Sequence, residues 1–201
     1  MREPVFHLDV LFAGSSIFEN WRQADKLIDG AVTQNAAIGG TETSDWLPTL
    51  GPLIAKHRPR VFCLYIGSND VGRGRAIDCI LADTVSLLDL VREASPATKL
   101  LYFSIIRSAD KVARYADLDR IEQTVRQRDA SDALLDFVDI NPVFFASTHA
   151  DQIKYDVSRM RTDLFLGDQI HLTERAYDEL SAFAAPIIAA ALDASLTEHP
   201  R

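Results

Sequence analysis

The sequence predicts an α/β protein built in three layers, a parallel sheet of about five strands with helices on both faces. Three observations carry that reading. Short runs rich in β-branched and aromatic residues alternate with longer stretches of helical spacing. The short runs are apolar almost without interruption, as strands buried on both faces must be. Glycine, serine, asparagine and aspartate gather where these runs end, and the carboxyl ends of parallel strands are where functional residues collect.

Taken in order, "HLDVLFAG" is the first strand, ending at Gly14-Ser15-Ser16, and "IFENWRQADKLI" is the helix after it. "AVTQNAA" is the second strand and leads into "NAAIGGTET"; in "TSDWLPTLGPLIAKH", Pro48 and Gly51 shorten the helix that follows. The third strand, "RVFCLYIGS", opens into Gly67-Ser68-Asn69-Asp70. "RAIDCILADTVSLLDLVREA" repeats Ile77, Ile80, Leu81, Val85, Leu88 and Val91 at three- and four-residue intervals, the stripe of a helix lying on a sheet. "KLLYFSII" and "ALLDFVDI" are the fourth and fifth strands, separated by the polar surface helix "ADLDRIEQTVRQRDASD". The last helix, "TERAYDELSAFAAPIIAAAL", takes Thr173 as its N-cap, turns Leu180, Phe183, Ile187 and Leu192 inward, and should kink at Pro186. With no repeat and no linker, residues 1–194 read as a single domain and 195–201, "SLTEHPR", as a loose tail.

The bulk numbers narrow the function classes. The 201 residues suffice for one full-sized domain, and 47% hydrophobic with 25% charged residues is a globular composition. A net charge of −8 would repel a polyanion, which argues against nucleic acid as a partner. No run approaches the roughly 18 apolar residues of a membrane span, and "MREPVFHLDV" lacks a leader's apolar core, so the expected compartment is the cytoplasm. Cys63 and Cys79 have no zinc-type spacing, and no third ligand is spaced to join Asp168 and His171 in a metal site. "GRGRAI" lacks the third glycine of a dinucleotide fingerprint, and Phe18 stands where the G-x-S-x-G elbow needs its last glycine. No cofactor and no metal are expected, and self-association is left open.

Acyl transfer to water needs a nucleophile, a base, a group that orients the base, and donors for the oxyanion. The predicted strand ends offer Ser16, then the Gly40 N–H and the Asn69 amide, while Asp168 and His171 stand in "LGDQIHLTE" just before the last helix. Each taken singly has an ordinary explanation, since serines after a strand commonly cap helices. Together they form one set.

Here the chain resembles the SGNH hydrolases, the GDSL-type esterases and lipases. "FAGSSIFENW" is similar to their first block, "NAAIGGTET" to the second, "GSND" to the third and "DQIH" to the fifth, in family order from Gly14 to His171. Ser15 departs from the aspartate of the name-giving motif and gives the GSS form. The resemblance implies a flavodoxin-like fold and a catalytic triad of Ser16, Asp168 and His171. It also implies an oxyanion hole of Ser16, Gly40 and Asn69, and favours Ser16 over Ser15, which would bond locally. The implied substrate is a small-molecule acyl ester, with acetyl the expected acyl group and a small alcohol or carbohydrate the expected leaving group. An acyltransferase or thioesterase on the same triad, or an inactive flavodoxin-like binding module, are the alternatives.

Other residues read more plainly. Asp70 would brace its loop, and Asn35 would tie the second strand's exit to its neighbours. Trp21 and Trp46 pack, with Trp46 a candidate substrate wall; His7, His57, His149 and His199 lack a partner pattern. The irregular stretch 140–166, with Phe144, Phe145 and Tyr155, is either a lid or wall of the site, or a loop that its aromatics fasten down.

Overall fold

A computed structural model describes residues 6–146 and 155–198. Five parallel strands, β1 (Leu8–Gly14), β2 (Thr33–Asn35), β3 (Pro59–Tyr65), β4 (Lys99–Phe103) and β5 (Leu135–Val138), lie in the order β2-β1-β3-β4-β5. Register places Phe12 beside Asn35 and Cys63, and Gly14 beside Tyr65. The order reverses around β1, so the exits of β1, β2 and β3 form the crevice where doubly wound sheets place their ligands.

The strands are apolar throughout because both faces are covered, and successive side chains feed separate cores. Val10, Phe12, Cys63, Tyr65, Leu101 and Phe103 point to the face packed by α1 (Ser16–Glu19) and α7 (Glu174–Glu198). Leu11, Ala13, Phe62, Leu64, Leu100 and Tyr102 point to the face packed by α3 (Leu50–His57), α5 (Ile77–Ala94) and α6 (Tyr115–Asp129). Two further short helices, α2 (Thr43–Trp46) and α4 (Ser68–Gly72), carry the exits of β2 and β3.

Several elements differ from the sequence reading. The first helix is a single turn, because Trp21 leaves it to pack edge-on to Phe12 at 5.5 Å and to donate to Ser181 Oγ at 2.8 Å. A 3-10 turn at Ala24–Lys26 follows it. The second divides into α2 and α3 around Pro48. On α5 the buried stripe is Ile80, Thr84, Leu87, Leu88 and Val91, and Val85 faces out. Thr84 can take an inward position because its hydroxyl donates to the Ile80 carbonyl at 2.7 Å.

Thr173 does cap α7, its Oγ1 accepting from Ala176 N–H at 3.2 Å. That helix runs unbroken past Pro186, which sits on its exposed side together with Ala182, so the Ala182 carbonyl that Pro186 leaves without a donor can bond to water. The loose tail expected from residue 195 begins inside the same helix: Ser195 is buried and donates to Leu192 O at 2.7 Å.

Candidate active site

Three strand exits and one loop build the site. At the end of β1, Gly14 has φ +127°, and a Cβ there would stand 1.8 Å from the Tyr65 carbonyl oxygen. Only glycine lets β1 pass β3 this closely and still turn. Ser15 N–H then donates to that same Tyr65 oxygen, and Ser16 becomes the first residue of α1, where its N–H has no intrahelical acceptor.

The exit of β2 is held against this turn. Ile38 N–H donates to Gly14 O at 2.9 Å, and Thr41 Oγ1 donates to Ile38 O at 2.8 Å and lies 3.2 Å from Gly14 O. Between them Gly40 takes φ +76°, a left-handed conformation open to glycine at little cost. From α4, one N–H of the Asn69 amide donates to Thr41 O at 2.8 Å. Its second amide hydrogen has no acceptor among the described residues; through Thr41 the Gly14–Ser16 turn, the Gly40 loop and the Asn69 amide form one connected assembly.

Beneath it lies a buried charge network. Asp70, fully buried, accepts from Thr43 N–H at 3.0 Å, from Thr43 Oγ1 at 2.7 Å and from Arg75 Nη1 at 2.9 Å. Arg75 reaches on to Asp83 of α5 at 2.6 Å, and the paired carboxylates hold its guanidinium firmly charged. On the outer side, Arg73 donates to the Gly40 carbonyl at 3.0 Å and pairs with Glu42 at 2.8 Å.

Asp168 and His171 come from a closed loop. Phe165 and Leu172 bridge antiparallel, and Leu166 N–H donates to His171 O at 2.7 Å. Inside that loop Asp168 Oδ1 accepts from both Ile170 and His171 N–H at 2.9 Å, and Oδ2 meets His171 Nδ1 at 2.6 Å. The imidazole and the two backbone donors hold the Asp168 carboxyl down at about 2, although it is largely exposed. His171 Nε2 lies 3.1 Å from Ser16 Oγ, which completes the row Ser16, His171, Asp168.

A sequence profile of the GDSL-like Lipase/Acylhydrolase family matches residues 13–179. The chain belongs to that family. It is thus a hydrolase of the acyl-ester class, and the five-stranded flavodoxin-like architecture agrees. Among solved structures, the chain is similar to a Streptococcus pneumonia protein described provisionally as a platelet activating factor, with TM-score 0.75, 19% identity, and 92% and 85% of the two chains covered. It is also similar to a GDSL-like lipase from Bacteroides thetaiotaomicron, with TM-score 0.69, 16% identity and coverage of 95% and 93%. A family 3 carbohydrate esterase from Talaromyces cellulolyticus gives TM-score 0.68, 16% identity and coverage of 92% and 98%. Among curated proteins none matches in sequence.

The structure joins Ser16, His171 and Asp168 in one hydrogen-bonded row and ties Asn69 to the Gly40 loop through Thr41. Asp70 braces its loop, and Asn35 ties β2 to α1 by donating to Phe18 O at 2.6 Å. Ser15 departs from expectation: its backbone bonds locally, but its buried hydroxyl has no partner among the described residues. Trp46 is buried, with Nε1 donating to Thr41 Oγ1 at 3.0 Å, so it supports the glycine loop and is not a substrate wall. Phe144 and Phe145 are core residues, and the aromatics fasten the 140–166 stretch; its centre, with His149, lies outside the described residues, as does His199.

Sequence reasoning missed Thr41, Thr43, Arg73, Arg75 and Asp83. The two threonines stood in view in "GGTET", at the start of a helix. Both arginines were passed over inside "GRGRAI", whose role here is ionic and unrelated to a dinucleotide. Among the described residues no cluster of three metal-ligating side chains occurs, and no helix is long and apolar enough to cross a membrane.

Proposed function

We propose that this hydrolase is a serine esterase that removes a short acyl group, acetyl foremost, from a small alcohol or carbohydrate through an acyl-enzyme on Ser16. The observation that carries the reading is the hydrogen-bonded row from Asp168 through His171 to Ser16 Oγ, at 2.6 and 3.1 Å. Ser16 is unreactive at its own pKa, so His171 Nε2 takes its proton as Oγ attacks the ester carbonyl. Asp168 fixes the tautomer through Nδ1 and stabilises the imidazolium that forms. The carbonyl oxygen, now negative, is received by the N–H groups of Ser16 and Gly40 and by the free Asn69 amide hydrogen.

Collapse of the tetrahedral species breaks the C–O bond, and His171 returns its proton to the departing alcohol. Water then enters by the same route, attacks the acyl-Ser16 and releases the acid. Water is favoured as acceptor over a second alcohol because the site is open: the side chains of His171 and Asp168 are 36% and 46% exposed. The choice of acetyl draws on an acetyl esterase and on family 3 carbohydrate esterases that share the fold. The free thiols, with Cys79 exposed, fit a reducing compartment such as the cytoplasm.

The test is a fluorophosphonate probe followed by peptide mass spectrometry. Label on Ser16 that disappears in His171→Ala is the expected result. Label on Ser15 moves the nucleophile by one residue, and no label on folded protein overturns the esterase reading in favour of the inactive binding module.

A further inference from the structure

One open groove, of about 590 Å³, adjoins the triad and shares His171 with it. Its walls come from the chain just after α1, with Asn20, Arg22 and Gln23, and from the start of α7, with Glu174 and Asp178. In the reaction proposed above, on which this inference rests, His171 Nε2 must hand its proton to the leaving oxygen. That oxygen therefore sits within hydrogen-bond reach of His171, and whatever is attached to it extends from there. The groups assigned to the carbonyl oxygen, the Ser16 and Gly40 N–H and the Asn69 amide, do not line this groove.

We infer that this groove is the leaving-group site and that it takes a neutral, hydroxyl-rich alcohol of saccharide size, read by Asn20, Arg22 and Glu174. Its volume falls within the range of small-molecule sites, about 300–1,000 Å³. The side chains decide the chemistry. Two amides, one guanidinium and two carboxylates stand among Leu166, Leu172 and Tyr177, so the groove offers both the donors and acceptors that hydroxyl groups need and the apolar surface that a sugar ring's C–H face can cover. An anionic leaving group would face Glu174 and Asp178; an alkyl chain would strip water from five polar groups without replacing their bonds.

Gln23 and Asp178 already engage each other, at 3.2 Å, and tie α7 to the chain after α1. Asn20, Arg22 and Glu174 are exposed and form no side-chain hydrogen bond or ion pair with the other described residues, which leaves them for a ligand. A cationic alcohol is the nearest competitor, since the groove's formal charge is −1, from Arg22 against Glu174 and Asp178. The Gln23 contact already occupies one of those carboxylates, and Arg22 opposes a cation across the groove.

The experiment compares kcat/KM on four acetyl esters: 4-nitrophenyl acetate, an O-acetylated methyl glycoside, butyl acetate and acetylcholine. The native chain is expected to favour the glycoside over butyl acetate and acetylcholine by at least tenfold. In Arg22→Ala and in Glu174→Gln, the ratio of glycoside to 4-nitrophenyl acetate activity is expected to fall about tenfold, chiefly through KM. A preference for butyl acetate or acetylcholine, or an unchanged ratio in both variants, overturns the inference while leaving the esterase reading intact. Failure to turn over any of the four esters, with no fluorophosphonate label, brings down the esterase reading itself.

Discussion

The two halves of the active site are built in opposite ways. The half proposed to move protons is local: Asp168 and His171 are three residues apart in a loop that closes on itself, and both are substantially exposed. The half proposed to receive the oxyanion is assembled from distant segments. Gly40 and Asn69 are joined through Thr41, and beneath them the fully buried Asp70 links Thr43 to Arg75 and Asp83. A proton carrier needs one partner on each ring nitrogen and tolerates water. An oxyanion hole works only if its donors are already in place when charge develops; Gly40 is itself exposed and Asn69 half-buried, so their placement rests on the buried Thr43 and Asp70 beneath them. Substitutions in the first half should therefore damage chemistry with little loss of stability, and those in the second should damage both.

The largest effect short of removing Ser16 or His171 is expected from Asp168→Asn. The amide can still contact Nδ1 but favours the wrong tautomer, and a loss of roughly 10³- to 10⁴-fold in kcat follows from the behaviour of triads in general. KM and the thermal midpoint should stay near native. Steady-state kinetics beside a melting curve checks both halves of that statement, and a large drop in the midpoint would mean that this loop is less self-contained than its bonds indicate.

Asn69→Ala comes next. It removes one oxyanion donor, worth about 3–4 kcal/mol in the transition state, so kcat should fall by two to three orders of magnitude. It also releases the Thr41 carbonyl, so some loss of stability should accompany the loss of rate. Near-native turnover by purified protein would remove Asn69 from the hole.

The contrast between the halves also explains what the sequence disclosed. Ser16, Asp168 and His171 could be picked out because the short contiguous patterns that carry them, ordinary taken singly, occur together and in the order of the family's blocks. The central parallel sheet followed from runs such as "RVFCLYIGS", apolar on both faces because both are covered; the order of its strands did not. Thr43, Arg75 and Asp83 could not be found in that way. Thr43 meets Asp70 across 27 residues and Asp83 across 40, with Arg75 bonded to both carboxylates, and no spacing rule reports such a meeting. Val85 was misplaced for a related reason: Thr84 could turn inward only because its hydroxyl found the Ile80 carbonyl, a satisfaction invisible to a hydrophobic pattern.

Asp70→Asn breaks the comparison most directly. Arg75 and the Thr43 donors would face a neutral amide in a buried site, and unbalancing a buried pair typically costs about 3–5 kcal/mol. Arg75 is a quarter exposed and keeps Asp83, so the low end of that range is expected. After normalising to the fraction of protein that labels with fluorophosphonate, kcat should fall about tenfold with KM unchanged, because the donors are displaced and not removed. Full activity per labelled site would make Asp70 a fold residue only.

The smallest effect concerns pH. Asp168 is held near 2 by His171 and two backbone N–H groups, below the roughly 3.9 of an unfolded aspartate. A folded-state pKa below the unfolded one contributes stability that is complete above the unfolded value and disappears as pH falls through the folded value. The stability difference between the native chain and Asp168→Asn should thus be flat above about pH 5 and close between pH 4 and 2. In His171→Ala the largest of the three causes is gone, so the Asp168 carboxyl should titrate higher, while Ile170 and residue 171 N–H keep it below an ordinary aspartate. Carbon NMR of that carboxyl reads the shift directly. An Asp168 already titrating near 4 in the native chain would mean that the hydrogen bonds of this exposed loop open in water, and the local half of the site would then owe its geometry to bound substrate.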